Sequence, residues 1–281
     1  MKIRKLFGDK AFYRMVLAIA VPVMVQSGIT QFVSLLDNLM VGRIGTEEFG
    51  GVAIANQLIF VFNLCIFGGL SGAGIFSAQF SGKNDVDGMR HVLRFKLYFV
   101  IAASVLGILI LHFFGSPLIS LFLHEGSEEG DLVKTLNFGL DYLKIMLIGL
   151  PLYAVSQCYA SSLKETGETF IPMIGSGTAV LVNLVFNYIL IFGKFGFPVM
   201  GVKGAAIATV LSRVVELAII AIWAHTHTKR FGFFSKLYSS FRVPKALTFD
   251  IIKKGSPLMF NELLWSMGMS TLTACYSMHG L

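Results

Sequence analysis

The sequence predicts an all-α protein that threads a lipid bilayer repeatedly, and three observations lead there. Of its 281 residues, 55% are hydrophobic and only 14% charged. The mean hydropathy is +0.73, which excludes an ordinary soluble domain. Apolar runs long enough to cross the hydrocarbon core, about 20 residues at about 1.5 Å each, recur along the whole chain. The third observation is where the charge sits. Spans placed at 15–41, 52–79, 97–116, 136–163, 170–192, 204–225 and 256–281 leave 17 of the 23 Lys and Arg residues on one side and four on the other. The rich side holds the N-terminus and the 226–254 segment, which are therefore expected in the cytoplasm. The net charge of +7 is read as a topology signal, and no nucleic-acid partner is expected.

Other classes fit poorly. A transmembrane barrel needs about ten-residue segments of alternating polarity, and none occur. Cys65, Cys158 and Cys275 lie in apolar runs without CxxC spacing, so neither a disulfide framework nor a zinc site is expected. The basic start MKIRKLFGDK precedes a run too long for a signal-peptide core, so a retained first span is expected.

The first span, from Met15 to Gly45, carries a polar stripe. Gln26, Thr30, Ser34 and Asp37 fall within roughly an 80° arc at about 100° per residue. A carboxylate in hydrocarbon costs several kcal/mol unless it faces a bundle interior, water or an ion. Asp37 is thus either an intramembrane acid binding a proton or cation, or a headgroup residue just outside the bilayer. Pro22 removes a backbone hydrogen bond in the same span and makes it a candidate hinge.

The second span places Asn56 and Asn63 on one face, above the small-residue run GGLSGAG, which suits close helix packing. The third is plainly apolar. The loop LHEGSEEGD after it gathers four acids and reads as a solvated outer loop. In the fifth span Asn183 and Asn187 are four apart and share a face; they suit a cation, an acid or helix-to-helix hydrogen bonding. The sixth carries Thr209 near its small-residue opening, and Arg213 and Glu216, three apart, are expected to pair on the helix. The seventh puts Glu262, Ser266, Met269 and Thr273 on one face. Pro22 to Gly45 and Pro257 to Gly280 have the same spacing, with Met24 matching Met259, which suggests a weak parallel repeat.

The blocks VPVMVQ…LLDNLMVGRIGTEEFGGVAIANQ, VNLVFNYILIFG…MGVKGAAIATVLSR and GSPLMFNELLWSMGMS resemble the multidrug and toxic compound extrusion (MATE) family. The resemblance covers essentially the whole chain and implies a twelve-helix, two-bundle exporter. Such a protein exchanges a substrate for H⁺ or Na⁺ by alternating access. It further implies coupling-ion residues at Asp37, Asn183, Asn187 and, more loosely, Thr209, with Gln26, Thr30 and Ser34 lining the cavity. Glu262 would be the acid of the second bundle, and Na⁺ could sit at Asp37 or Glu262. Some members carry Asp where this chain has Asn187, which weakens a two-carboxylate proton site.

The chain stops at the seventh span. The expected organisation is a six-helix bundle over 1–225, a basic cytoplasmic linker over 226–254, and over 255–281 the first helix of a C-terminal bundle that is missing. The expected function is efflux of a cationic amphipathic small molecule across the plasma membrane. Besides the coupling ion, no cofactor is expected. The alternative is a flippase for a lipid-linked oligosaccharide or peptidoglycan precursor, which needs cavity cations for a pyrophosphate. An enzyme is not expected, since HExxH, GxSxG and clustered His or Cys are all lacking. With its partner bundle missing, the Glu262 helix is expected to be the least firmly packed.

Overall fold

A computed structural model describes residues 9–123, 131–240 and 242–278. The acidic loop after the third span lies largely outside them. The described chain is helical throughout: α1 (Lys10–Gly42), α2 (Thr46–Gly82), α3 (Val86–Ser120), α4 (Leu132–Lys164), α5 (Phe170–Phe192), α6 (Gly201–Thr226) and α7 (Lys245–Met278). The first six are long and apolar enough to cross a membrane; α7 is not among them. It carries Asp250, Lys253, Lys254 and Glu262 along its length. Seven helices therefore stand where seven spans are expected, but only six meet the apolar criterion.

Local chemistry sets the helix starts. Asp9, Asp85 and Asp131 are N-caps whose carboxylates accept from the backbone N–H groups of Phe12, Gly88 and Val133 at 2.7, 2.9 and 3.0 Å. Hydrogen bonding by the Lys134 backbone above all, joined by that of Val133, holds the Asp131 carboxyl below the usual carboxylate range. Gly193, with φ +62°, closes α5 in the left-handed conformation that a Cβ disfavours.

Helix α4 lies at the centre of the packing, against α2, α3 and α6; α5 joins α6, α1 leans mainly on α5, and α7 lies along α2. Two crossings need glycine. A Cβ on Gly51 would sit 2.6 Å from the Thr135 carbonyl oxygen of α4, and one on Gly72 would sit 2.5 Å from the Gly255 Cα of α7. The second crossing, with a Gln57-to-Ser270 hydrogen bond of 3.0 Å, seats α7 firmly on α2. Helix α7 is therefore not the loosely packed helix. That place belongs to α1, where Val41 is the only fully buried residue among those described. Pro22 lies inside α1, which continues unbroken past it.

The 226–254 segment is also more than a linker. Its last ten residues are the first turns of α7. Ahead of them, Phe231, Phe233, Phe234 and Leu237 are buried in the main core. Arg94 donates to the carbonyls of Lys236 and Leu237, and Arg90 to that of Ser235, all at 2.9 Å. Burial of this Phe-rich loop docks it onto α3 and α4, with Tyr159 stacked 5.5 Å from Phe234. Lys96, counted as a loop cation, is fully buried and ion-paired with Glu165 at 2.6 Å.

Candidate functional site

Helices α1, α2, α4, α5, α6 and α7 line one open cavity of about 720 Å³, while α3 stands behind it. The polar stripes of the sequence converge there. Gln26, Thr30, Ser34 and Asp37 line it from α1, Asn183 and Asn187 from α5, and Thr209 from α6. Thr30 folds its hydroxyl back onto the Gln26 carbonyl at 2.9 Å, which spares it an unmet donor in an apolar setting.

Asp37 meets the α5 pair directly. Asn187 Nδ2 donates to Asp37 Oδ1 at 2.6 Å and to Asn183 Oδ1 at 3.1 Å, and Asn183 Nδ2 reaches Thr209 Oγ1 at 3.2 Å. The α-helical repeat brings Asn183 and Asn187 to one face, and packing of α1 and α6 on α5 supplies the other two groups. The Asn183 amide satisfies its neighbours in one orientation only. With its oxygen toward Asp37, that oxygen lies 2.8 and 3.0 Å from the two carboxylate oxygens, an arrangement that repels unless a proton or cation intervenes. Turned over, its nitrogen donates to both carboxylate oxygens, and its oxygen accepts from Thr209 at 3.2 Å. The buried Asn187 Oδ1 has no hydrogen-bond partner among the described residues.

These oxygens suit a hard cation, which takes carboxylate, amide carbonyl and hydroxyl ligands. Among the described residues, no group of three or more His, Cys, Asp and Glu is placed to hold a metal. One carboxylate with neutral oxygens matches a monovalent ion or a proton better than a divalent one.

A second cluster lies along the same wall, one turn of α6 beyond Thr209. Arg213 and Glu216 pair at 2.9 Å, as their spacing predicts. Ser176 donates to the other Glu216 oxygen at 2.8 Å and accepts from Gln26 at 2.6 Å. The Arg213 guanidinium also lies 5.0 Å from the Tyr153 ring.

Glu262 stays apart from both clusters. It is half-buried against α2, with its side chain 3.3 Å from where a Gly68 Cβ would stand, and only Met269 and Thr273 of its stripe line the cavity. Sequence reasoning missed the α4 wall, where Tyr142, Met146, Tyr153, Gln157 and Lys164 face the cavity at alternating spacings of four and seven. That helical periodicity was the available signal. Tyr142 also donates to Asn56 at 3.2 Å, tying α4 to α2 beside the Asp37 cluster.

Residues 22–189, more than half of the chain, match the family model described as MatE. A probable multidrug resistance protein NorM of Thermotoga maritima is 27% identical over 252 residues, covering 89% of this chain and 52% of that protein. Multidrug resistance protein PmpM of Pseudomonas aeruginosa is 29% identical, covering 71% of this chain and 40% of its own. The chain thus spans about half the length of the curated relatives it matches. Among solved structures, a MATE in the bent conformation superposes with a TM-score of 0.78 at 21% identity, covering 92% of this chain and 55% of that one. An outward-facing multidrug resistance MATE transporter of the MOP superfamily gives 0.73 at 23%, covering 91% and 54%. Six membrane-length apolar helices, a polar cavity among them and these matches together place the chain in the MatE family of multi-pass membrane transporters.

Proposed function

We propose that this chain forms the first bundle of a secondary antiporter that expels a cationic amphipathic small molecule in exchange for H⁺ or Na⁺. Residues 1–225 would be that bundle, 226–254 its connection, and the helix from 255 the opening helix of a second bundle holding Glu262. The N-terminus would lie in the cytoplasm and the protein in the plasma membrane.

The observation that carries this reading is the contact of Asp37 with Asn187 and Asn183 on the cavity wall. Occupancy and the Asn183 orientation are linked in it. An ion or proton at Asp37 favours the amide oxygen facing the carboxylate; a bare carboxylate favours the amide nitrogen. A cationic substrate neutralises the same acid, so ion and substrate compete, and competition is the thermodynamic core of exchange. Loading Asp37 also alters how α1, the least buried helix, is held to α5, which offers a path to alternating access through the Pro22 region.

Ethidium fluorescence on the purified protein tests this. Binding to the wild type should weaken as Na⁺ or protons are added, and Asp37→Asn should bind weakly and without ion sensitivity. Ion-sensitive binding by Asp37→Asn equal to that of the wild type would overturn the assignment. The flippase reading draws on the cavity cations Lys164 and Arg213. Glu216 and Asp37 offset both of them, leaving no net positive charge on the lining against a pyrophosphate, so the antiporter is favoured.

A further inference from the structure

With Val41 its only fully buried residue among those described, α1 depends on polar contacts for much of its attachment. Among the described residues, side-chain hydrogen bonds tie it to other helices at two levels. One is Asp37, held by Asn187 of α5. The other is Gln26, whose Nε2 donates to Ser176 Oγ of α5 at 2.6 Å. The two levels are 11 residues apart. That is about 16 Å along the axis at about 1.5 Å per residue.

The two tethers differ in what stands behind them. Asp37 is met by neutral amides. Behind Gln26 stands an ion pair: Ser176 donates to Glu216 Oε1 at 2.8 Å, and Arg213 donates to Glu216 Oε2 at 2.9 Å. Ser176 and Glu216 are both buried. A guanidinium is always charged, so Glu216 has a permanent counter-charge within the protein and needs no ion from solution. A carboxylate only accepts, which obliges the Ser176 hydroxyl to donate to it. The lone pairs of that hydroxyl are then left for Gln26, which presents its amide nitrogen. The ion pair thus fixes the direction of each hydrogen bond in the chain, and the Arg213 guanidinium, 5.0 Å from the Tyr153 ring, seats its far end on α4.

We propose that Glu216 is a positioning residue that, through Ser176, pins α1 at Gln26 whatever the occupancy of Asp37. The consequence for exchange rests on the cation-site reading of Asp37. Loading with an ion alters the Asp37 tether alone, so α1 swings about Gln26 and its outer end moves. A swing of about 10° about Gln26 displaces the Asp37 level by about 3 Å, enough to part its contact with Asn187. Losing the Gln26 tether instead frees that level by the same amount, with Asp37 as the pivot.

Nitroxide pairs read by double electron–electron resonance test this, in purified protein lacking Cys65, Cys158 and Cys275. Met24 and Leu39 on α1 and Ile101 and Phe113 on α3 are exposed and do not line the cavity. The Met24 and Ile101 pair reports the pinned level, and the Leu39 and Phe113 pair the outer one. The first distance should stay fixed when Na⁺ or protons are added. Ser176→Ala and Gln26→Leu should each widen its distribution by about 3 Å, the swing about the remaining tether. Ser176→Thr, which keeps the hydroxyl, should leave it narrow. Glu216→Gln should widen it, because an amide lets the hydroxyl point either way. If the unpaired Arg213 prevents folding, Glu216→Gln/Arg213→Gln serves instead. Unchanged widths in Ser176→Ala and Gln26→Leu overturn the pin, as does equal widening in Ser176→Thr or a Met24 and Ile101 distance that follows the ion. A narrow distribution in the Glu216 variants overturns the role given to that residue. The outer pair tests the cation-site reading separately. Its distance should shift with the ion, and Asp37→Asn should abolish the shift. If it never shifts, or shifts equally in Asp37→Asn, the cation-site reading fails while the pin stands.

Discussion

The buried pair of Lys96 and Glu165 offers the sharpest quantitative test of the packing around the cavity's inner end. Lys96 Nζ lies 2.6 and 2.7 Å from the two Glu165 oxygens and 3.3 Å from the hydroxyls of Ser161 and Ser162. The lysine side chain is wholly buried, whereas Glu165 keeps 15% exposure. Breaking a buried pair by removing one partner costs about 3–5 kcal/mol, since an uncompensated charge remains. In Glu165→Gln the two serine hydroxyls and an amide oxygen still face the ammonium, which puts the expected loss near the lower end, about 3 kcal/mol. At about 2–4 °C per kcal/mol, the thermal midpoint in detergent should fall by about 6–12 °C. Lys96→Met should cost less, because the partly exposed Glu165 can turn to water. Lys96→Met/Glu165→Gln should lie closer to the wild type than Glu165→Gln alone, because no charge is then left buried. A double variant less stable than Glu165→Gln would refute the account, since the pair would then be stabilising through packing and not through mutual neutralisation.

The other expectations follow from the same geometry. Gly51→Ala should lower the thermal midpoint, because its new Cβ meets α4 backbone at 2.6 Å, an overpacking cost of about 1–3 kcal/mol. Gly28→Ala, with nothing within 4 Å of that position, should be neutral or stabilising by up to about 1 kcal/mol; equal losses in the two would refute the crossing argument. Arg94→Ala removes two donors to the 236–237 carbonyls and should make the 229–240 segment cleave faster in limited proteolysis, with an unchanged rate counting against its docking. In a background lacking Cys65, Cys158 and Cys275, Lys194→Cys should react with an impermeant thiol reagent applied to intact cells and Lys229→Cys should not. The reverse pattern would invert the proposed topology.

Periodicity and charge are local properties of a chain, and they were enough to read its helices. Apolar length marked the helix cores, and the polar stripes at Gln26–Asp37 and Asn183–Asn187 marked faces that must avoid lipid. The Arg213 and Glu216 pair was legible for the same reason, since both ends lie on one helix. Partners between helices were another matter. Nothing in the spacing of α3 says that Lys96 is buried against Glu165; it sits where a helix and a loop are equally consistent with composition. The docking of the 226–240 segment likewise depends on a pocket that four phenylalanine and leucine side chains find only once α3 and α4 are assembled. Glu262 and Asp37 look equivalent as acids on polar stripes, yet the Gly72 and Gly255 crossing seats α7 on α2 and leaves Glu262 outside the cluster. The sequence by itself determined which faces are polar, because helical geometry repeats every 3.6 residues. Tertiary structure decided which of those faces meet, because contact depends on the close approach that glycines permit at particular crossings.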